Sequence, residues 1–194
     1  MQVDIYIVDT RNIDISFMYN YLSDVDLKDL QRYQVEEVKK EKTASKYLKN
    51  KYIGEYSFNE FGKPISKNLF FNISHSHGLV VLAINKDREI GIDIELVKLA
   101  PEDLRQYISS SIEREYIKDD ESFAKIWTSK ESLLKAIGTG INTKINTVPA
   151  LPVDGVREYL NEKYYSHCIK IDDYICSITL KGKEDFNIKI MEDR

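Results

Sequence analysis

Asp93 and Glu95 stand two positions apart in Gly91-Ile92-Asp93-Ile94-Glu95, and Glu131 follows in Trp127-Thr128-Ser129-Lys130-Glu131-Ser132-Leu133-Leu134-Lys135. In an extended strand successive side chains alternate faces, so the two acids point one way and Ile92 and Ile94 the other. Like charges side by side repel unless a cation lies between them. A hard divalent ion such as Mg²⁺ suits this pair, because it takes oxygen ligands and accepts phosphate as a co-ligand. The competing reading is an exposed strand face, on which acids are common. Against it, Gly91 permits close backbone approach, and the isoleucines imply a buried opposite face.

Trp127, Glu131 and Lys135 recur at four-residue steps and share one helix face. Glu131 and Lys135 read either as a solvated ion pair worth about 0.3 kcal/mol or as site residues facing the strand acids. Trp127 reads as a core anchor by its apolar area. A third carboxylate would give Mg²⁺ a site with positions open for phosphate and water. Ser74-His75-Ser76-His77-Gly78 offers several donors to an anion, or forms a polar turn with His77 in solvent. Zinc does not fit, since no Cys or third His lies at ligand spacing. Lys39, Lys40, Lys42, Lys46, Lys49 and Lys51 make a solvated helix face from which one or two could reach a phosphate. Gly62-Lys63-Pro64 is a turn whose backbone could bond a flat base. There is no Walker loop and no Gly-x-Ser-x-Gly elbow, and Gly138-Thr139-Gly140 lacks the setting of a dinucleotide fingerprint.

The elements that must position these residues follow from periodicity. Val3, Ile5 and Ile7 predict a strand. Ser23 is an N-cap with Asp26 in the first turn, and helical composition runs on to about Ile53, closed by Gly54. Strands are expected over Phe70–Ser74, Leu79–Ile84 and Glu89–Val97, with a charged turn at 85–88. Helices are expected near Glu102–Ile108, Ile112–Lys118 and Ser122–Ile137, the last ended by Gly138 and Gly140. Beyond Pro149 and Pro152, strands return at Tyr164–Ile171, Tyr174–Leu180 and Phe186–Met191. Leu79-to-Glu95 and Tyr174-to-Met191 each read as a strand, charged turn and strand preceded by a long helix. Either this marks two similar α+β units with a cleft between them, or several hairpins recur as in any α+β protein.

The chain has 194 residues, 42% hydrophobic and 11% aromatic, a globular composition long enough to bury a core. A net charge of −4 argues against a general nucleic-acid binder, which needs a basic surface. No apolar run approaches the roughly 18–20 residues of a membrane span. Met1–Thr10 reads as a strand and not a signal peptide. Cys168 and Cys176 are expected as buried, reduced thiols. The expectation is a cytoplasmic protein with no nucleic-acid or membrane partner.

Together Phe61-Gly62-Lys63-Pro64, Phe71-Asn72-Ile73-Ser74-His75-Ser76, Gly91-Ile92-Asp93-Ile94-Glu95 and Trp127-x-x-Lys130-Glu131-Ser132-x-x-Lys135 resemble the Sfp-type 4′-phosphopantetheinyl transferase family. The motifs stand in the family's order across about residues 42–140; the flanking segments match only in their strand pattern. The resemblance implies an α+β pseudo-dimer of two similar subdomains, divided here as 1–90 and 91–194, with the active site in the cleft between them. It implies a monomer that moves the 4′-phosphopantetheine arm of coenzyme A onto a serine of an apo acyl or peptidyl carrier protein, releasing adenosine 3′,5′-bisphosphate. Fatty-acid, polyketide and nonribosomal-peptide carriers all fit.

On that resemblance Asp93, Glu95 and Glu131 hold Mg²⁺, and Glu131, directly or through a water, takes the serine proton. Lys135 stabilises the leaving phosphate, and Lys130 lies along the pantetheine or phosphate path. His75, with Lys42 and Thr43, meets the 3′-phosphate. Gly62, Lys63 and Pro64 meet adenine, and Ser74 the pyrophosphate. The chain departs from the family at His77-Gly78, and Asp24, Asp26 and Asp29 stand where basic residues are common. The alternative is a non-catalytic carrier-protein or nucleotide-binding module of the same fold. Its signature would be the loss of a metal carboxylate, and all three are present.

Overall fold

The computed structural model describes residues 1–140 and 144–193. In chain order the elements are β1 (Gln2–Asp9), a 3-10 turn (Ser16–Tyr21), α1 (Asp24–Leu30), α2 (Glu36–Tyr52), β2 (Ser57–Phe58), β3 (Pro64–Ile65), β4 (Phe70–Ser76), β5 (Leu79–Asn85) and β6 (Ile90–Leu96). Then come α3 (Glu102–Ile108), α4 (Ser111–Tyr116), α5 (Asp120–Ile137), a 3-10 turn (Ile145–Thr147), β7 (Gly155–Tyr159), β8 (Glu162–Ile171), β9 (Tyr174–Lys181) and β10 (Asn187–Glu192).

The fold is mixed α+β, as expected. The continuous helix expected from Ser23 to Ile53 is instead α1 and α2, separated at residues 31–35. Ser23 does cap α1, in a reciprocal capping box with Asp26, which closes that helix as a short unit of its own. Strand β7 had no counterpart in the sequence reading.

Two four-stranded sheets form, ordered β10-β1-β5-β4 and β6-β9-β8-β7, beside the small β2-β3 ribbon. The two strand–turn–strand segments that rhyme in sequence are not hairpins. Strand β5 pairs with β1 and β4, whereas β6 pairs with β9. Likewise β9 pairs with β6 and β8, while β10 runs parallel to β1. Each segment therefore crosses from one sheet to the other. As a result the final strand lies in the first sheet, across the 90/91 division drawn from the sequence.

Alternation decides which faces meet. Val3, Ile5, Val81 and Ala83 of the first sheet pack in one cluster with Ile90, Ile92, Ile94, Cys176 and Ile178 of the second. On the outer side of the first sheet, Val80 and Leu82 pack with Ala44, Tyr47 and Leu48 of α2. The outer side of the second sheet carries α5, and there the contact is polar: Thr128 meets Ser177 and Ser132 meets Thr179, each at 2.8 Å. Hydroxyl pairs of this kind fix helix orientation while leaving no donor unmet. Cys168 and Cys176 are both free, and Cys176 is buried. No described helix is long and apolar enough to cross a membrane.

Candidate active site

Gly91 sets the distance between α5 and β6. A Cβ on it would stand 2.0 Å from the Ser132 carbonyl oxygen and 2.3 Å from the Ala136 nitrogen, so only a residue without one lets the helix lie on this strand. The helix starts from an Asp119 cap that accepts from Ser122 and stops at Gly138 in the left-handed region, φ 82. Its face carrying Trp127, Glu131 and Lys135 then covers the strand face carrying Asp93 and Glu95. These five side chains line one pocket of about 280 Å³ with Ile73, Ser74 and His75.

Strand β4 closes the pocket's other wall through a seam of side chains. Asn72, Ser74 and Ser76, alternate residues on one face, are all buried. Asn72 Oδ1 accepts from the Ile92 N–H at 3.1 Å, Ser74 Oγ donates to Asp93 Oδ1 at 2.8 Å, and Ser76 Oγ donates to Glu95 Oε2 at 2.8 Å. The two sheets thus meet along β4 and β6 by polar side chains, and that seam aims the carboxylates.

Asp93 is buried, and Lys135 Nζ donates to its Oδ1 at 2.6 Å and to Ser74 Oγ at 2.9 Å. Its second oxygen, Oδ2, is buried with no hydrogen-bond partner among the described residues, and so is Glu131 Oε1. Burial pushes the Asp93 carboxyl up against the pull of Lys135. Burial, then the Asp93 charge, lift Glu131 to about 7. Glu95 is better satisfied, with Trp127 Nε1 donating to its Oε1 at 3.3 Å.

Among the described residues no three His, Cys, Asp or Glu side chains stand close enough to hold a metal ion as they are placed. The donor set nevertheless fits a hard divalent cation. It consists of carboxylates, two of whose buried oxygens lack any donor, and a buried anionic oxygen left bare is costly unless a cation or proton meets it. Lys135 supplies positive charge from the Ser74 side.

His75 is held on both sides. Its Nδ1 lies 2.8 Å from Glu41 Oε2 and its Nε2 lies 2.9 Å from Lys42 Nζ. Burial, then the Lys42 charge, pull its proton affinity down.

Three assignments drawn from the resemblance fall on side chains that lie outside the carboxylate pocket. Thr43 is fully buried and its hydroxyl donates to the Lys39 carbonyl at 2.8 Å, so it faces its own helix and not the pocket. Lys130 is fully buried on the far side of α5. Its ammonium pairs with Glu113 Oε2 at 2.8 Å and donates to the carbonyls of Ile145 and Val148. Those three partners exhaust its three donors, so it ties α5 to the segment after the helix and has none left for a phosphate. Lys63 donates to the Ala136 carbonyl at 2.6 Å, a cation at a helix C-terminus where the dipole favours it. Asn59 braces the same turn, accepting from the N–H groups of Phe61 and Lys63 and donating to the Gly138 carbonyl. Gly62, at φ 81, and Pro64 therefore form a turn stapled to the end of α5, outside the carboxylate pocket.

Asn72 and Glu41 shape the site and are not among the candidates read from the sequence, and Ser76, expected as an anion donor or part of a polar turn, donates to Glu95. Asn72 and Ser76 carry a signal, the period-two polar pattern Asn72, Ser74, Ser76 along β4. Trp127 packs against a core cluster, as expected, and its indole N–H also serves Glu95. Glu41, an acid within a run of lysines, carried no signal that separated it from a solvated ion pair.

A second hollow of about 230 Å³ adjoins the first, sharing Glu95 and Trp127, with walls of Leu96, Leu99, Ala100, Leu104 and Phe123.

Residues 89–179 match the family model of the 4′-phosphopantetheinyl transferase superfamily. The stretch holds Asp93, Glu95, Glu131 and Lys135, and the resemblance read from the motifs is borne out there. The chain is 40% identical over 98 residues to the 4′-phosphopantetheinyl transferase gsp of Aneurinibacillus migulanus, covering 46% of this chain and 40% of that protein. It is 31% identical over 145 residues to the transferase HetI of a Nostoc species, covering 62% and 61%. With the transferase Sfp of Bacillus subtilis it shares 33% over 101 residues, covering 47% and 45%. The matched stretch is thus about half the length of these relatives.

Proposed function

We propose that this chain, similar to the 4′-phosphopantetheinyl transferases, transfers the phosphopantetheine arm of coenzyme A to a serine of an apo acyl or peptidyl carrier protein. One observation carries the reading: Asp93 and Glu131, each with a buried carboxylate oxygen that has no donor among the described residues, line one pocket with Lys135. The reciprocal strand exchange between the sheets supports a pseudo-dimer with its active site at their seam.

Asp93 and Glu131, with Glu95 beside them, are the residues that would hold Mg²⁺. When bound, the ion supplies charge neutralisation on the pyrophosphate and alignment for in-line attack. Glu131 takes the proton from the carrier serine, directly or through a water, as that hydroxyl oxygen forms its bond to the β-phosphorus. The bond from that phosphorus to the bridging oxygen breaks, and adenosine 3′,5′-bisphosphate leaves with the oxygen and its electron pair. Lys135 moves from Asp93 toward the charge that develops on the leaving phosphate. His75 and Lys42 face the 3′-phosphate of coenzyme A.

The apolar hollow beside Glu95 and Trp127, with Lys98 at its rim, supports a docking place for the carrier, whose modified serine lies next to an acidic helix. The experiment is a panel of apo carriers from fatty-acid, polyketide and nonribosomal-peptide systems, incubated with coenzyme A with and without Mg²⁺ and read by intact mass. Mg²⁺-dependent gain of one phosphopantetheine is expected on at least one carrier. No gain across the panel overturns the proposal.

A further inference from the structure

Glu41 lies on α2, three-dimensionally behind His75, and is 8% exposed. One of its oxygens meets His75 Nδ1 at 2.8 Å. The other accepts the Gly78 N–H at 2.6 Å, at the turn that joins β4 to β5. That turn has both His77 and Gly78 in the left-handed region, φ 45 and 87. Its carbonyl side is anchored as well, since the N–H and the hydroxyl of Thr10 both donate to the Gly78 oxygen. A single buried carboxylate therefore holds the loop and the ring that precedes it.

The hydrogen-bond partners leave one protonation pattern for His75. A carboxylate only accepts, so Nδ1 carries the hydrogen that points at Glu41. An ammonium only donates, so Nε2 offers its lone pair to Lys42 Nζ at 2.9 Å. The ring is neutral, with its hydrogen on Nδ1. In this state Lys42 lends its donor to the imidazole. Lys42 has further N–H donors for an incoming anion, but where that anion sits against Nε2 itself, this nitrogen becomes a donor only by gaining a proton. A negative charge held behind the ring adds to the anion's own pull toward that imidazolium and does not compete for the anion.

We propose that Glu41 is a positioning residue of the anion pocket, fixing the Nδ1–H form of His75 in the free protein and stabilising its doubly protonated form once a phosphate monoester sits against Nε2 and Lys42. The proposal rests on the reading of His75 as a contact of the coenzyme A 3′-phosphate. It also accounts for the departure at His77-Gly78: the loop there is shaped by a carboxylate partner on the helix that also sets the histidine.

Two measurements test it on the full chain. Nitrogen-15 shifts of the imidazole rings report which nitrogen bears the hydrogen, and with only three histidines a His75→Asn variant identifies the relevant signals. Glu41→Ala should move His75 away from the Nδ1–H form. Glu41→Gln keeps one accepting oxygen for the Gly78 N–H, so it should keep the fold if the alanine variant loses it, while its NH2 group faces Nδ1 and should likewise move His75 away from the Nδ1–H form. In transfer assays, Glu41→Ala should raise KM for coenzyme A by roughly 10- to 100-fold, by analogy with partners that orient metal-ligating histidines. KM for dephospho-coenzyme A, which lacks the 3′-phosphate, should hardly change. An unchanged His75 tautomer in the alanine variant, or equal losses with both donors, overturns the proposal. A shifted tautomer with both KM values intact instead overturns the placement of the 3′-phosphate at His75, and leaves Glu41's hold on the ring standing.

Discussion

Lys135 Nζ lies 2.6 Å from Asp93 Oδ1, on the carboxylate whose other oxygen is buried and bare. The lysine thus sits on one of the ligands proposed for the metal and neutralises part of the charge a divalent ion would. Trp127, the only tryptophan, donates to Glu95 in the same pocket and provides a fluorescent reporter of it.

Replacing Lys135 by Met should therefore separate cation affinity from turnover. Without the competing ammonium, Mg²⁺ titrated into the substrate-free protein should bind roughly tenfold tighter, the equivalent of about 1.4 kcal/mol, read by Trp127 fluorescence. The same variant should lose roughly 100-fold in kcat, since a donor to the leaving phosphate is gone. Weaker Mg²⁺ binding would show that Lys135 assists the ion and does not compete with it.

Glu131 gives the metal-free protein a pH dependence of definite sign. Its carboxyl rises from 4.5 to about 7 through burial and the neighbouring Asp93. Between those values the folded state holds a proton that the unfolded chain has released. Stability therefore falls as pH rises through this window, by up to about 3 kcal/mol for the full shift. Chelator-treated protein should melt higher at about pH 5 than at about pH 8 by this contribution. Glu131→Gln should flatten the slope, and a wild-type slope in that variant would place the linkage elsewhere. Turnover should vanish in Glu131→Gln while coenzyme A binding survives.

Lys130 and Glu113 form an ion pair in which the lysine is fully buried. Removing one partner leaves the other charge stranded, so Lys130→Met should cost about 3–5 kcal/mol in denaturant unfolding. KM for coenzyme A in the folded fraction should stay near the wild-type value, which a lysine on the phosphate path would not allow.

Gly91→Ala drives a methyl group into the backbone of α5 at Ser132 and Ala136. Backbone cannot rotate aside as a side chain does, so the variant should lose about 3 kcal/mol or more, measured by thermal unfolding. The fraction that folds should show altered Trp127 fluorescence, because α5 carries both Trp127 and Glu131.

Strand alternation made the pairing of Asp93 with Glu95 legible from five residues, and the four-residue helical step did the same for Trp127, Glu131 and Lys135. These are local periodicities, and local backbone geometry fixes them whatever the rest of the chain does. The limits of α5 were legible too, within about two residues, because its end is set by a glycine next to the helix. What failed was the partnership of neighbouring strands. A charged turn between two strands looks the same whether the second strand folds back or crosses to another sheet, and here β5–β6 and β9–β10 both cross.

The same limit applies to the lysines. Lys130 and Lys135 lie five positions apart on α5 and look equally able to meet a phosphate in the sequence. Five residues rotate the helix by well over a right angle, so one enters the pocket at Asp93 and the other is sealed against Glu113. Sequence by itself determined which residue types could do chemistry, the α+β class and the two surfaces on which the acids stand. Tertiary structure alone decided that those surfaces face each other, that Ser74 and Ser76 aim the carboxylates, and that Glu41 stands behind His75. Each of those contacts joins residues 19 or more positions apart, and long-range contact is set by which faces must be buried together, a choice that no single stretch of chain contains.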